Sequence, residues 1–231
     1  MSDEIWETVW NKKLITSDYS LKYLDFMHSV ETGLPPDSLI LEAGCGTGQT
    51  LSLFSLRHET VGLDISKSAL NLARKNCNNP VLASIFSMPF KDNTFDLVYN
   101  SGVIEHFQEP DNVEAIREMG RVTKANGKVI VIVPNSLCLW YRMAKFTAVV
   151  LKGFEFGYEE DYTPGRLRSA VGAAGLIPEG TFGLQVLPPL ATNDRELLPE
   201  PYRKKMVELE KHFCHKENYA YAVGIIARKE I

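Results

Sequence analysis

Short apolar runs alternate with longer stretches of helical spacing, and that alternation limits the folds open to this chain. "LILEA" (39–43), "TVGLD" (60–64), "PVLASIF" (80–86), "TFDLVYNS" (94–101) and "NGKVIVIVP" (126–134) read as strands. Helical patterns fill 47–57, 66–77, 112–124 and 163–176, with Ser66 and Asp111 placed as N-caps and Pro164 in a first turn. Apolar strands joined by helices form parallel β-α-β units whose sheet is covered on both faces. Residues 3–30 carry a further helical spacing, closed by the prolines and glycine of "TGLPPDS". The chain ends in two strand-like runs, "GTFGLQVL" and "NYAYAVGIIARK", joined by a helical "PEPYRKKMVELEKHF". Nothing divides the 231 residues, so 1–231 reads as one domain. Within it, 1–36 is expected to form an N-terminal helical cap, and 137–160 and 188–217 to form lids on the acceptor side.

The first strand runs into glycines at alternate positions, Gly44, Gly46 and Gly48. A dinucleotide fingerprint needs G-x-G-x-x-G, and its third glycine position is Gln49 here. Glu42, two residues before the loop, suits a ligand with a positive amino group better than a pyrophosphate. Asp64 ends the second strand, about 20 residues after Gly44, where a carboxylate accepts hydrogen bonds from ribose hydroxyls. Ile65 beside it can pack on a flat base. These residues together specify an adenosine-like ligand with a cationic tail.

The motifs "ILEAGCGTG", "VGLDIS", "ASIFSMPFKDNTFDLVYNSGVIEHF" and "EMGRVTKANGKVIVIVPN" follow one another between Ile40 and about Pro134. In that order the chain resembles the class I S-adenosylmethionine-dependent methyltransferases. The resemblance implies an α/β, Rossmann-like fold: a seven-stranded sheet, mostly parallel with an antiparallel last strand, and helices on both faces. It implies S-adenosyl-L-methionine as cofactor. Gly44, Cys45, Gly46 and Gly48 would form the backbone loop, and Glu42, Asn100 and Ser101 would face the methionine part. Asp64 would hold the ribose, and Ile65, Ile85 and Phe86 would frame the adenine. Ser84 stands where the family usually has an acid near the adenine amino group.

A sulfonium methyl is already activated, so the protein mainly aligns the acceptor and excludes water. A general base is needed when the acceptor arrives protonated. His106 in "GVIEHF" is the candidate, just past the fourth strand and with an ordinary pKa near ~6.5; the alternative is that His106 only packs or hydrogen-bonds locally while Glu105 is solvated. Asp96 is expected to support the glycine loop. "NSGV" stands where exocyclic-amine methylases of bases carry a proline pair, and Cys138 reads as a buried or lid cysteine rather than a nucleophile. His212, Cys214 and His215 lack a second ligand pair for zinc, and no metal is expected.

The acceptor is the least legible part. "LCLWYRMAKFTAVVLKG" (137–153) forms an amphipathic helix, with Arg142, Lys145 and Lys152 on one side and Leu139, Trp140, Met143, Phe146, Val150 and Leu151 mainly on the other. It reads as a lid whose apolar face covers the pocket, or as an interfacial helix making weak contact with a membrane surface. Trp6, Trp10 and Tyr19 read as a cap over the cofactor or as core anchors. Tyr158, Asp161 and Tyr162 read as pocket residues or as a solvated connection.

A formal net charge of −4 argues against non-specific nucleic-acid binding. Four separated cysteines without a CxxC point to free thiols and a cytoplasmic protein. The expectation is methyl transfer to a small molecule, apolar or lipid-like acceptors included, with no nucleic-acid partner and the oligomeric state open. The alternatives are an NAD-dependent oxidoreductase and a non-catalytic binding protein with the same fold.

Overall fold

The computed structural model describes residues 18–152, 158–188, 191–192, 195–196 and 199–230. Its central sheet is built from β1 (Leu39–Ala43), β2 (Glu59–Asp64), β3 (Asn79–Leu82), β4 (Phe95–Ser101), β5 (Thr123–Pro134), β6 (Leu176–Leu184) and β9 (Ala222–Lys229). The strand order is β3-β2-β1-β4-β5-β9-β6. Pairing from β3 through β5 is parallel, and β9 runs antiparallel to both β5 and β6. This is the expected mixed seven-stranded sheet with its last strand reversed. Two-residue strands β7 (Ala191–Thr192) and β8 (Arg195–Glu196) pair separately.

Alternation along each strand divides the core into two layers. Leu41, Val98, Val129 and Val131 point to one side, where they meet Ile116 and Met119 of α4 (Asp111–Val122) and Leu167 and Val171 of α6 (Pro164–Ala173). Ile40, Leu97, Tyr99, Ile130 and Ile132 point to the other. They meet Met27 of α1 (Asp18–Thr32), Leu51 and Phe54 of α2 (Leu51–Phe54), and Leu70 of α3 (Lys67–Ala73). Both faces are covered, which is why these strands read as near-continuous apolar runs.

Local chemistry sets several boundaries. Ser66 caps α3 by accepting from Ala69 N at 3.1 Å, and Thr163 caps α6, where Pro164 opens the first turn. Other expectations are corrected. The helix expected from Thr47 begins at Leu51 and lasts four residues, because the glycine loop and Thr50 hold 47–50 in turns. Asp111 is the first helical residue of α4 and makes no cap bond; its charge still lies at the favourable end of the helix dipole. β3 stops at Leu82, and the chain turns over Ser84–Ser87, where Ser87 N donates to Ser84 O at 3.2 Å. Asp96 supports the start of β1 rather than the glycine loop: it accepts from Leu39 N at 2.9 Å and pairs with Lys124 at 2.8 Å.

Two flanking helices border the site. On α1, Phe26 stacks on Phe182 at 4.0 Å between centroids. Glu210 of α7 (Glu200–Lys211) pairs with Lys22 of α1 and accepts from Val186 N. On α5 (Leu139–Lys152), Trp140 stacks on Tyr221 at 5.5 Å and donates to Val186 O at 2.8 Å. Lys145 meets Glu159 at 2.9 Å. These contacts choose the inward face, so Leu139, Met143, Phe146 and Val150 lie exposed, 64–77%. The expected lid geometry, with that apolar stripe over a pocket, is therefore not the arrangement found. Trp6 and Trp10 lie outside the described residues, as does the side chain of Tyr19.

Candidate active site

The carboxyl ends of β1, β2, β4 and β5 open into one cavity of about 670 Å³. It sits where the strand order reverses, between β1 and β4, the usual ligand position in open α/β sheets. Tyr23 and Leu24 of α1 line one side.

The glycine loop forms the floor. Gly44, Gly46 and Gly48 all have positive φ, +79°, +51° and +65°. A Cβ on Gly44 would stand 2.5 Å from Val103 Cγ2, so this position admits no side chain without displacing Val103. Gly44 N and Cys45 N donate to Leu63 O at 2.7 and 2.9 Å, tying the loop to β2. Cys45 is buried, and burial raises its thiol pKa far above the ordinary range, so it is an inert part of the loop. Gly44, Cys45 and Gly46 line the cavity; Gly48 does not, and faces Ala73 and Asn76 instead.

Glu42 is 5% exposed and lines the cavity. Both its oxygens lie 2.8 Å from the Thr50 hydroxyl, which receives a hydrogen bond from Tyr99 OH. Burial pushes its carboxyl up to about 8, against the downward pull of the Thr50 bond. A cation placed beside it would bring it back to the ionised form.

Asp64 does two jobs. Its Oδ2 accepts from Gly46 N at 2.8 Å and its Oδ1 from Ser66 N at 2.9 Å, so one carboxylate braces the loop and the start of α3. It also lines the cavity, and carboxylate oxygens accept more than one hydrogen bond each. Ile65 and Phe86 are 39% and 41% exposed, and with buried Ile85 they form an apolar lip on the same cavity. Ser84 lines it too, with Oγ accepting from Phe86 N at 3.3 Å. Ser101 lines the cavity but Asn100 does not: strand alternation turns it the other way, where Nδ2 reaches Met119 Sδ at 3.5 Å.

The 3-10 turn Ile104–His106 forms the opposite wall. His106 Nδ1 lies 3.0 Å from Tyr158 O. A carbonyl only accepts, so Nδ1 carries the proton and Nε2 is the basic nitrogen. Burial lowers the His106 pKa, which keeps the ring neutral at pH 7.

Glu105 corrects the expectation of a solvated residue. It is 2% exposed, and burial pushes its carboxyl up to about 8. The segment after residue 157 buries it. Glu160 N donates to Glu105 O at 2.6 Å, and the fully buried Tyr162 receives a hydrogen bond from Asn112 at 2.7 Å. Glu159 lines the cavity, while Tyr158 and Asp161 stay on the outer side. Sequence reading passed over Glu105 and Glu159, because only tertiary docking buries them.

Residues 41–131 match the family described as "Methyltransferase domain". Over that stretch the chain carries a methyltransferase domain. It is 42% identical over 101 residues to an uncharacterized protein of Methanocaldococcus jannaschii, covering 43% of this chain and 42% of that protein. It is 36% identical over 99 residues to human "Probable tRNA methyltransferase 9B", covering 42% of this chain and 22% of that protein. The matches thus span well under half of these relatives' length. In fold, it is similar to magnesium protoporphyrin IX methyltransferase from Synechocystis PCC 6803 with bound S-adenosylhomocysteine. The TM-score is 0.64 at 15% identity, covering 98% of this chain and 94% of that one.

The cofactor of such a methyltransferase domain is S-adenosylmethionine, and the cavity's chemistry fits it. A buried acid stands by the loop for an amino group, a loop-braced carboxylate for a ribose, and an exposed apolar lip for a base. The dinucleotide alternative loses a second support, since a four-residue helix after the loop offers little dipole to a pyrophosphate. Among the described residues no cluster could hold a metal ion, and no helix is long and apolar enough to cross a membrane.

Proposed function

We propose that this protein transfers the methyl group of S-adenosylmethionine to a small-molecule acceptor. The observation that carries the reading is that one cavity is lined by both the glycine loop with Glu42 and Asp64 and, opposite, the His106 turn. The cofactor supplies a methyl already activated by positive sulfur. Glu42 pairs with its amino group, Asp64 with its ribose, and Ile65, Ile85 and Phe86 with its adenine. Val103, Phe107 and Leu24 exclude water from the acceptor side. His106, held in one tautomer by Tyr158 O, takes the acceptor's proton at Nε2.

A small molecule is favoured over nucleic acid although a relative is named as a tRNA methyltransferase. Glu42, Asp64, Glu105, Asp111 and Glu159 line the cavity, and no lysine or arginine does among the described residues. Such a wall offers a nucleic-acid backbone no cation to neutralise its phosphates. The test is radiolabelled methyl transfer to a metabolite extract and, in parallel, to bulk tRNA. Label in the metabolite fraction supports the reading; label confined to tRNA sinks it.

The exposed stripe Leu139, Met143, Phe146 and Val150 supports a second reading, an acceptor reached at a lipid surface. Failure to co-sediment with anionic vesicles at low salt removes it.

A further inference from the structure

Glu105 is a buried acid that methyl-donor binding does not use. It lines the cavity at 2% exposure, and its Oε2 has no hydrogen-bond partner. Its Oε1 lies beside Gly102, 3.8 Å from where a Cβ on that glycine would stand. Burying a carboxyl with an unsatisfied oxygen is costly. The fold nevertheless fixes it there, through the Glu160 N bond to Glu105 O at 2.6 Å. The neighbouring acid is already occupied: Glu159 pairs with Lys145 at 2.9 Å and accepts from Tyr141 OH at 3.0 Å. Glu105 is thus left with an unmet acceptor, in a cavity rich in acids and otherwise largely apolar.

We propose that Glu105 recognises the methyl acceptor, and that the acceptor presents an amine nitrogen to it. The inference rests on the methyl-transfer reading above. An amine N–H satisfies Oε2, and its positive charge complements the acidic lining. A carboxylate or phosphate at the same place finds no cation in the acid-lined cavity, whereas an ammonium draws Glu105 into its ionised form, and a purely apolar group leaves the oxygen unpaired. Leu24, Val103 and Phe107 suit an apolar frame around that nitrogen. Before the transfer the bound ammonium gives one proton to His106 Nε2, which frees the nitrogen lone pair. That lone pair forms the new N–C bond as the C–S bond breaks. The C–S electron pair returns to sulfur, which becomes a neutral thioether.

The test uses calorimetry on the intact protein saturated with S-adenosylhomocysteine. The probes are matched sets on one frame, such as phenethylamine, 2-phenylethanol and 3-phenylpropanoate, and hexylamine, 1-hexanol and heptanoate. In at least one set the amine should bind at least about tenfold more tightly than its alcohol, with the carboxylate weaker still. Glu105→Gln should erase that preference and leave S-adenosylhomocysteine binding unchanged. No amine binding, or alcohols and carboxylates binding as well as amines, overturns the proposal. So does a Glu105→Gln protein that keeps the preference. The wild-type comparison decides by itself should the variant not fold. Failure of S-adenosylhomocysteine to bind overturns the methyl-transfer reading itself, and the Glu105 proposal with it.

Discussion

At the scale of single residues, each function-bearing side chain has a second, structural task, so substitutions separate by what they leave standing. His106→Ala removes the ring that Tyr158 O orients, but nothing that braces the glycine loop. Turnover should fall by about 10²-fold with S-adenosylhomocysteine affinity unchanged. Equal turnover in a steady-state assay would remove His106 as the base. Gly44→Ala should act on the fold. It forces a side chain at φ +79° and drives a Cβ to 2.5 Å from Val103, at a cost on the order of 2 kcal/mol. Thermal melts should show the loss, and cofactor affinity should fall with it, because Val103 lines the cavity. The backbone-directed roles at this scale were legible in sequence: Ser66, Pro164 and the positive-φ glycines act on their own neighbourhoods. Directions of side chains were not. Asn100 and Ser101 are adjacent in sequence, yet the pleat sends only Ser101 to the cavity. Glu105 is buried by a segment more than fifty residues further along the chain, which no local pattern announces.

At the scale of elements, the strands were readable because burial on both faces leaves continuous apolar runs. The helices flanking the site were less so, since amphipathic spacing does not say which partner an apolar stripe meets. On α5 the aromatic contacts of Trp140 and Tyr141 with Tyr221 win the inward position, and the aliphatic stripe faces out. The short α2 shows the opposite failure: helical periodicity was present, but loop geometry overrode its first turn. Docking of α1 depends on a stack through β6 and β9. The Phe182 ring covers Gly224 on one side and stacks on Phe26 on the other, and a Cβ on Gly224 would stand 2.1 Å from that ring. Gly224→Ala should therefore destabilise the protein by about 1–3 kcal/mol by overpacking. Amide exchange should accelerate over 18–32. Unchanged exchange there would show that α1 is held without the stack.

At the scale of the whole molecule, cavity acids make stability depend on pH in a definite direction. Glu42 and Glu105 have folded-state pKa values raised from 4.5 to about 8. For a raised acid, the stabilising contribution is complete below the unfolded value and is lost as pH rises towards the folded one. Glu118, lowered by Arg121, and Glu160, lowered by the Tyr158 hydroxyl, act in the opposite sense and lose their contribution in acid. His106, lowered by burial, also disfavours folding below its ordinary 6.5. The difference between wild type and Glu42→Gln/Glu105→Gln isolates the first pair. In urea titrations the double variant should gain on wild type from pH 5 to about pH 8 and hold that gain above it; a difference that stays constant over pH 5 to 8 would contradict the burial of these groups as charged-form penalties.

The same chemistry gives the most direct test of the cofactor site. If Glu42 receives the amino group of the methyl donor, binding must ionise a carboxyl that is mostly protonated at pH 7. Titrating S-adenosylhomocysteine into the protein at pH 7, in two buffers of different ionisation enthalpy, reads that proton. One-to-one binding with release of about one proton is the predicted result. Glu42→Gln should abolish the release and weaken binding about tenfold, while Glu105→Gln retains both. Absence of binding, or binding with the same proton count in wild type and Glu42→Gln, would contradict the site.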